Sequence, residues 1–198
     1  MAQFKWEGIY PAMLSPFDEN GNLDFDMFGK NIEAQLDGGV HGLIIAGSLG
    51  EASVLSTEEK YDLLTYALKL VDGRVPVLLN IAENTTAAAI KVAQTSEELG
   101  ADGLMLLPPM RYRADDREAV TYFRTVAQST KLPILIYNNP VDYSTYVSLD
   151  MFEELLLEPN IQAVKESTRD LTNITRLKNR FGDRLKIMAG VDTLGLES

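Results

Sequence analysis

The 198-residue sequence predicts a parallel α/β fold, a (β/α)8 barrel of the TIM type that stops after its seventh strand. Three observations carry this. Short apolar runs recur along the chain, with amphipathic segments of helical period between them. The runs are apolar nearly throughout instead of alternating, which suits strands covered on both faces of a parallel sheet. Their even spacing favours a closed barrel over a doubly wound sheet. Such a barrel usually takes about 250 residues, so the eighth strand onward is expected to be absent from this chain, and residues 1–198 are read as one domain.

The first strand is expected from Gly8 in "GIYPAMLSPF", followed by a helix that opens at Asp24 and stops at the glycine pair Gly38-Gly39. "GLIIAGS" from Gly42 is the second strand. The helix after it opens at Ser56 with Glu58 and Glu59 in its first turn, which suits the positive end of the helix dipole. "VPVLLNIA" from Val75 is the third strand, followed by a helix that ends at Gly100. "GLMLLPP" from Gly103 and the helical "DDREAVTYFRTVAQST" come next, then "PILIYNNP" from Pro133 and "SLDMFEELLLE". Pro159-Asn160 turns the chain into the sixth strand, "IQAVKEST", before the helical "RDLTNITRLKNRFGD" and the seventh strand, "LKIMAGVD". No repeat, low-complexity tract or linker interrupts the sequence.

Composition narrows the function classes. A net charge of −11 and a pI near 4.6 argue against nucleic acid or an anionic membrane as partner. With no cysteine there is neither a disulfide framework nor a thiolate zinc site. The single histidine, His41, lies at a turn entering a strand and is assigned a structural role, so no metal site is expected. No signal-peptide pattern opens the chain and no apolar run is long enough to span a bilayer, which reads as a cytoplasmic protein.

In a barrel of this kind, reactive groups gather at the C-terminal ends of the strands. Lys165 ends the sixth. Desolvation there disfavours its ammonium form, and a neutral amine can attack a ketone to form a Schiff base. A structural ion pair with Glu166 or Asp192 is the alternative use of this lysine. Tyr137 ends the neighbouring strand, where its hydroxyl can shuttle protons or serve as a satisfied core group. After the second strand, Gly47-Ser48-Leu49-Gly50-Glu51 offers a hydroxyl and a run of backbone N–H groups, with glycines that let a carboxylate approach. Glu51 fits a cap or a supporting acid. Gly190, at the end of the seventh strand, is a further substrate-binding candidate.

These three segments, in order and each at a strand end, resemble motifs of the dihydrodipicolinate synthase / N-acetylneuraminate lyase family of class I aldolase-like enzymes. Gly47-Ser48-x-Gly50-Glu51 is similar to the family's Gly-(Ser/Thr)-Thr-Gly-Glu, Tyr137-Asn138-x-Pro140 to its Tyr-Asn-x-Pro, and Lys165-Glu166-Ser167 to its Lys-(Glu/Asp)-Ser. The resemblance runs through essentially the whole chain. It implies a Schiff-base lysine at Lys165, a proton-relay tyrosine at Tyr137 and a 2-oxo acid whose carboxylate sits on the Ser48-Leu49 loop. It also implies a homo-oligomer, dimer or tetramer, and chemistry without a cofactor.

The departures bear on substrate. Leu49 stands where the family commonly has a threonine, leaving only a backbone N–H for the carboxylate. Asp142 occupies the position of an arginine that binds substrate carboxylate in the synthases, and an anion there disfavours an acidic aldehyde. It suits a hydroxylated substrate, since a carboxylate accepts hydrogen bonds from hydroxyls. Met110-Arg111 replaces the family's paired tyrosines, and Arg111 fits either a distal-carboxylate ligand or a solvated interface residue. The expected activity is a Schiff-base lyase or synthase on pyruvate or a related 2-oxo acid. The alternatives are a deaminase or dehydratase of hydroxyproline or 2-oxo-3-deoxy sugar-acid catabolism, and a non-catalytic 2-oxo-acid-binding protein on the same scaffold.

Overall fold

A computed structural model describes residues 5–109 and 113–198. Among them, six strands form one parallel sheet: β1 (Leu43–Ile45), β2 (Val77–Ile81), β3 (Gly103–Leu106), β4 (Ile134–Asn138), β5 (Ile161–Glu166) and β6 (Lys186–Ala189). Their spatial order follows the chain, β1-β2-β3-β4-β5-β6, so no switch point of a doubly wound sheet interrupts them. The sheet curls into a half-barrel of the TIM-like kind.

The expected first strand is corrected. Residues from Gly8 run beside β1 but make only one parallel bridge, Ala12 to Ile44. The backbone N–H groups of Met13 and Ile44 donate across this junction at 2.9 and 3.0 Å. Pro11 has no N–H to donate, which stops the ladder on one side, and Ala46 leaves the extended region at φ 54° on the other. The seven expected strands therefore become six strands and a bridge.

One helix, α1 (Phe25–Asp37), precedes β1, and the others connect consecutive strands: α2 (Thr57–Val71), α3 (Thr86–Leu99), α4 (Asp116–Ala127), the four-residue α5 (Pro140–Tyr143), α6 (Leu149–Leu155) and α7 (Leu171–Phe181). Their starts follow the capping residues. Asp24, Thr85 and Asp170 each accept from a first-turn N–H, and Ser56 with Glu59 and Asp115 with Glu118 close reciprocal boxes. Each cap stabilises its helix by roughly 1 kcal/mol. Gly100 ends α3 in the left-handed region at φ 91°.

Side-chain alternation sorts the sheet into two faces. Leu43, Ile45, Leu79, Ile81, Ile134, Ile136 and Val164 point outward and pack under the helices in the larger core. Ile44, Leu78, Met105, Leu135, Tyr137 and Ala163 point inward, joined by Trp6. A register shift after Ile134 skips Gln162, whose amide oxygen accepts from the Trp6 indole at 3.0 Å. His41 has the structural use assigned to it, its Nδ1 accepting from the Ile9 N–H at 3.1 Å. No helix among the described residues is long and apolar enough to cross a membrane.

Candidate active site

The inward face of β4 and β5 sets the centre of the site. Tyr137 and Lys165 are register partners on these adjacent strands, and Lys165 is in turn opposite Met188 of β6. Parallel partners project to the same face, so the lysine and tyrosine stand side by side inside the curl. The Lys165 ammonium position lies 4.6 Å from the Tyr137 ring centroid. Glu166, one residue on, points to the opposite face. Its carboxylate accepts from Asn138 Nδ2 at 3.1 Å, Asn173 Nδ2 at 2.9 Å and the Thr168 N–H at 2.9 Å. It is occupied in tying β4, β5 and α7 together and is not the partner of Lys165.

Among the described residues, no ion pair within 4.0 Å engages Lys165. Burial holds its amine below the ordinary lysine value, and the Asp192 carboxylate partly opposes this by favouring the ammonium. Space for the lysine stem comes from Gly190. A Cβ there would meet Ser167 Oγ at 1.9 Å and Lys165 Cγ at 2.8 Å. Gly190→Ala is therefore expected to displace the Lys165 stem and lower stability by about 1–3 kcal/mol, as over-packing does. Denaturant unfolding checks the stability, and the rate of borohydride trapping checks the displacement.

A second arm of the site comes from the turn after β4. Asn139 caps α5, and its Nδ2 donates to the Tyr137 hydroxyl at 3.1 Å and to Asp142 Oδ2 at 2.7 Å. With a lone pair so occupied, the Tyr137 O–H is left to donate elsewhere. Tyr143, the last residue of α5, packs edge-on against Tyr137 with centroids 5.7 Å apart and shares a hydrogen bond with Ser48 Oγ. Burial, chiefly, raises the Tyr143 phenol above its ordinary value and keeps it protonated, with the Ser48 bond acting in the other direction.

The loop after β1 forms the facing wall. Ala46 and Glu51 both take positive φ, 54° and 59°. Gly50 cannot be replaced, because a Cβ would lie 2.5 Å from the Met13 carbonyl oxygen. Its own carbonyl accepts from Ser15 Oγ at 2.7 Å, while the Gly47 carbonyl accepts from the Ala52 N–H at 3.2 Å. Leu49 is 73% exposed at the lip.

One cavity of about 1430 Å³, open along the inside of the curl, is lined by Ser48, Leu49, Tyr137, Asp142, Lys165 and Gly190. Gly47 and Gly50 stand behind the Ser48 wall as buried backbone. Arg111 lies outside the described residues. Sequence reasoning overlooked Tyr143, Asn139 and Arg169, which also line the cavity. The Asn-Pro start of a short helix would have pointed to the first two, because it turns the chain back over the strand end. The Ser167 hydroxyl, in the wall beside Gly190, is buried without a hydrogen-bond partner among the described residues. No cluster of three His, Cys, Asp or Glu side chains suited to a metal ion occurs among them.

Comparison with known proteins agrees on one family. Residues 5–198 match the profile of the dihydrodipicolinate synthetase family. A 4-hydroxy-tetrahydrodipicolinate synthase of Bacillus velezensis is 35% identical over 188 residues, 95% of this chain and 65% of that protein. The crystal structure of dihydrodipicolinate synthase from Aquifex aeolicus superposes with a TM-score of 0.93 at 32% identity, covering 97% of this chain and 66% of that one. CdNal from Clostridium difficile, solved in complex with mannosamine, gives a TM-score of 0.91 at 30% identity, with 96% and 66% covered. The chain thus spans just under two thirds of the length of these relatives.

Proposed function

Because the chain belongs to the dihydrodipicolinate synthetase family, we propose that it is a Schiff-base-forming lyase or synthase acting on pyruvate or a related 2-oxo acid, on a (β/α)8 barrel that the six strands represent in part. The observation that carries this is Lys165: a desolvated, unpaired amine on the inner face of a parallel sheet, beside a tyrosine hydroxyl. Such an amine, held by no ion pair among the described residues, has the properties of a nucleophile.

The chemistry runs as follows. The neutral amine adds to the ketone carbon, giving a carbinolamine, and loss of water yields a protonated imine. That imine draws electrons from the adjacent bonds, so a C3 proton or a C–C bond can be lost to form an enamine. Tyr137, its oxygen already accepting from Asn139, supplies the proton that converts the carbinolamine oxygen to a leaving water. The Ser48 and Tyr143 hydroxyls relay protons on the opposite side, and the Ser48-Leu49 backbone receives the substrate carboxylate. The enzyme is expected to act as a homo-oligomer in the cytoplasm.

The test is reduction with borohydride in the presence of pyruvate, followed by peptide mapping. A reduced pyruvyl adduct on Lys165 is the expected result, and no adduct with any 2-oxo acid would end this reading. The pH dependence has a defined sign. Only the deprotonated amine attacks, so initial trapping rates rise with pH and level off below the ordinary lysine value of 10.5. A rate still climbing through 10.5 would show that the amine is not desolvated.

A further inference from the structure

Arg169 follows β5 in the segment Ser167-Thr168-Arg169-Asp170, four residues beyond Lys165, and lines the same cavity. Its φ is +64°, in the left-handed region that a side chain with a Cβ rarely adopts. Glycine would occupy this position without strain, yet the chain places its longest cation there. Conformations of this kind cluster at active sites and ligand clamps.

Nothing within the described residues uses that side chain. Arg169 is exposed and has neither a hydrogen bond nor an ion pair. Of the acids beside it in sequence or in the cavity wall, none pairs with it. Asp170 caps α7, accepting from the Thr172 N–H at 3.0 Å and its hydroxyl at 2.6 Å, and meets Arg176 at 3.5 Å. Asp142 holds Asn139, and Asp192 lies near enough to Lys165 to favour its ammonium. A guanidinium at a cavity wall with five donors and no internal acceptor is a ready ligand for a planar anion.

We infer that Arg169 binds a second carboxylate of the substrate, so that the preferred substrates are 2-oxo acids with a second acidic group at the far end. The inference rests on the Schiff-base reading, which sets the substrate's direction. With C2 on Lys165 and the C1 carboxylate at the loop after β1, the rest of the molecule leaves on the far side. β1 and β5 are separated by β2, β3 and β4, and Arg169 follows β5. Arg169 is then a specificity-determining residue and plays no part in bond-making.

The experiment compares 2-oxoglutarate with 2-oxopentanoate, which has the same number of carbons and no second charge, by the concentration that half-saturates borohydride trapping on Lys165. The wild-type protein is expected to favour the diacid by about tenfold or more, as a charge-assisted contact does. That preference falls below about threefold in Arg169→Gly and Arg169→Met, while trapping of pyruvate is unchanged. Arg169→Gly also relieves the left-handed strain, so it melts no lower than wild type and its loss of preference is not loss of fold. Arg169→Met keeps the chain length and the strain without the charge. A wild type with no diacid preference, or a preference that survives in both variants, overturns the inference even if pyruvate is trapped. A wild type that traps no pyruvate fails at the earlier step, and the assignment of Arg169 falls with it.

Discussion

Lys165→Ala is expected to abolish imine formation and turnover. The substitution removes the amine proposed to bond to the substrate, and the described residues supply no second amine as register partner to Tyr137. Its effect on stability should be small by comparison. The side chain makes no ion pair among the described residues, and its burial as a cation is unfavourable, so removing it relieves a desolvation cost while leaving some empty volume. Loss of activity with a nearly unchanged melting temperature is therefore the expected pair of results. They are measured by steady-state assay with a 2-oxo acid, trapping mass spectrometry and thermal unfolding. Turnover that persists in Lys165→Ala would remove the covalent mechanism.

Tyr137→Phe is expected to slow turnover by about 10²–10⁴-fold while substrate still binds. Phenylalanine keeps the ring beneath the Lys165 amine and the edge contact with Tyr143, and it deletes only the hydroxyl. That hydroxyl accepts from Asn139, which retains Asp142 as its other acceptor, so no buried donor is left wholly without a partner. Proton transfer is what the variant loses. Hydrogen exchange at C3 of pyruvate, followed by NMR in heavy water, reads that loss, because exchange requires the imine to form first. A variant that exchanges as fast as wild type would transfer the relay role to Tyr143 and Ser48.

Much of this was legible in the chain. Apolar runs at regular spacing placed the strands of the sheet, because strands covered on both faces must be apolar throughout. Asp24 and Ser56 marked helix starts, because a cap is a local bond between residues three positions apart. The ends of those apolar runs put Lys165 and Tyr137 at strand ends. The strand expected at Gly8 was misjudged because pairing depends on N–H groups at alternate positions, and Pro11 removes one of them.

What the tertiary structure alone decided is which long-range partners the polar residues chose. Lys165 had two candidate acid partners, Glu166 beside it in sequence and Asp192 beyond the next strand. The pleat turned Glu166 outward to Asn138 and Asn173, and Asp192 stopped short of an ion pair. The four-residue α5 carried Tyr143 back to Ser48 across 95 positions of sequence and left Asp142 bound to Asn139 at the cavity edge. Local chemistry is written in neighbouring residues, whereas strand register and chain reversal bring together groups whose separation in sequence has no period to read. That is why the sequence could name the lysine and the tyrosine, and only the fold could supply the hydroxyls, amides and the unpaired Arg169 around them.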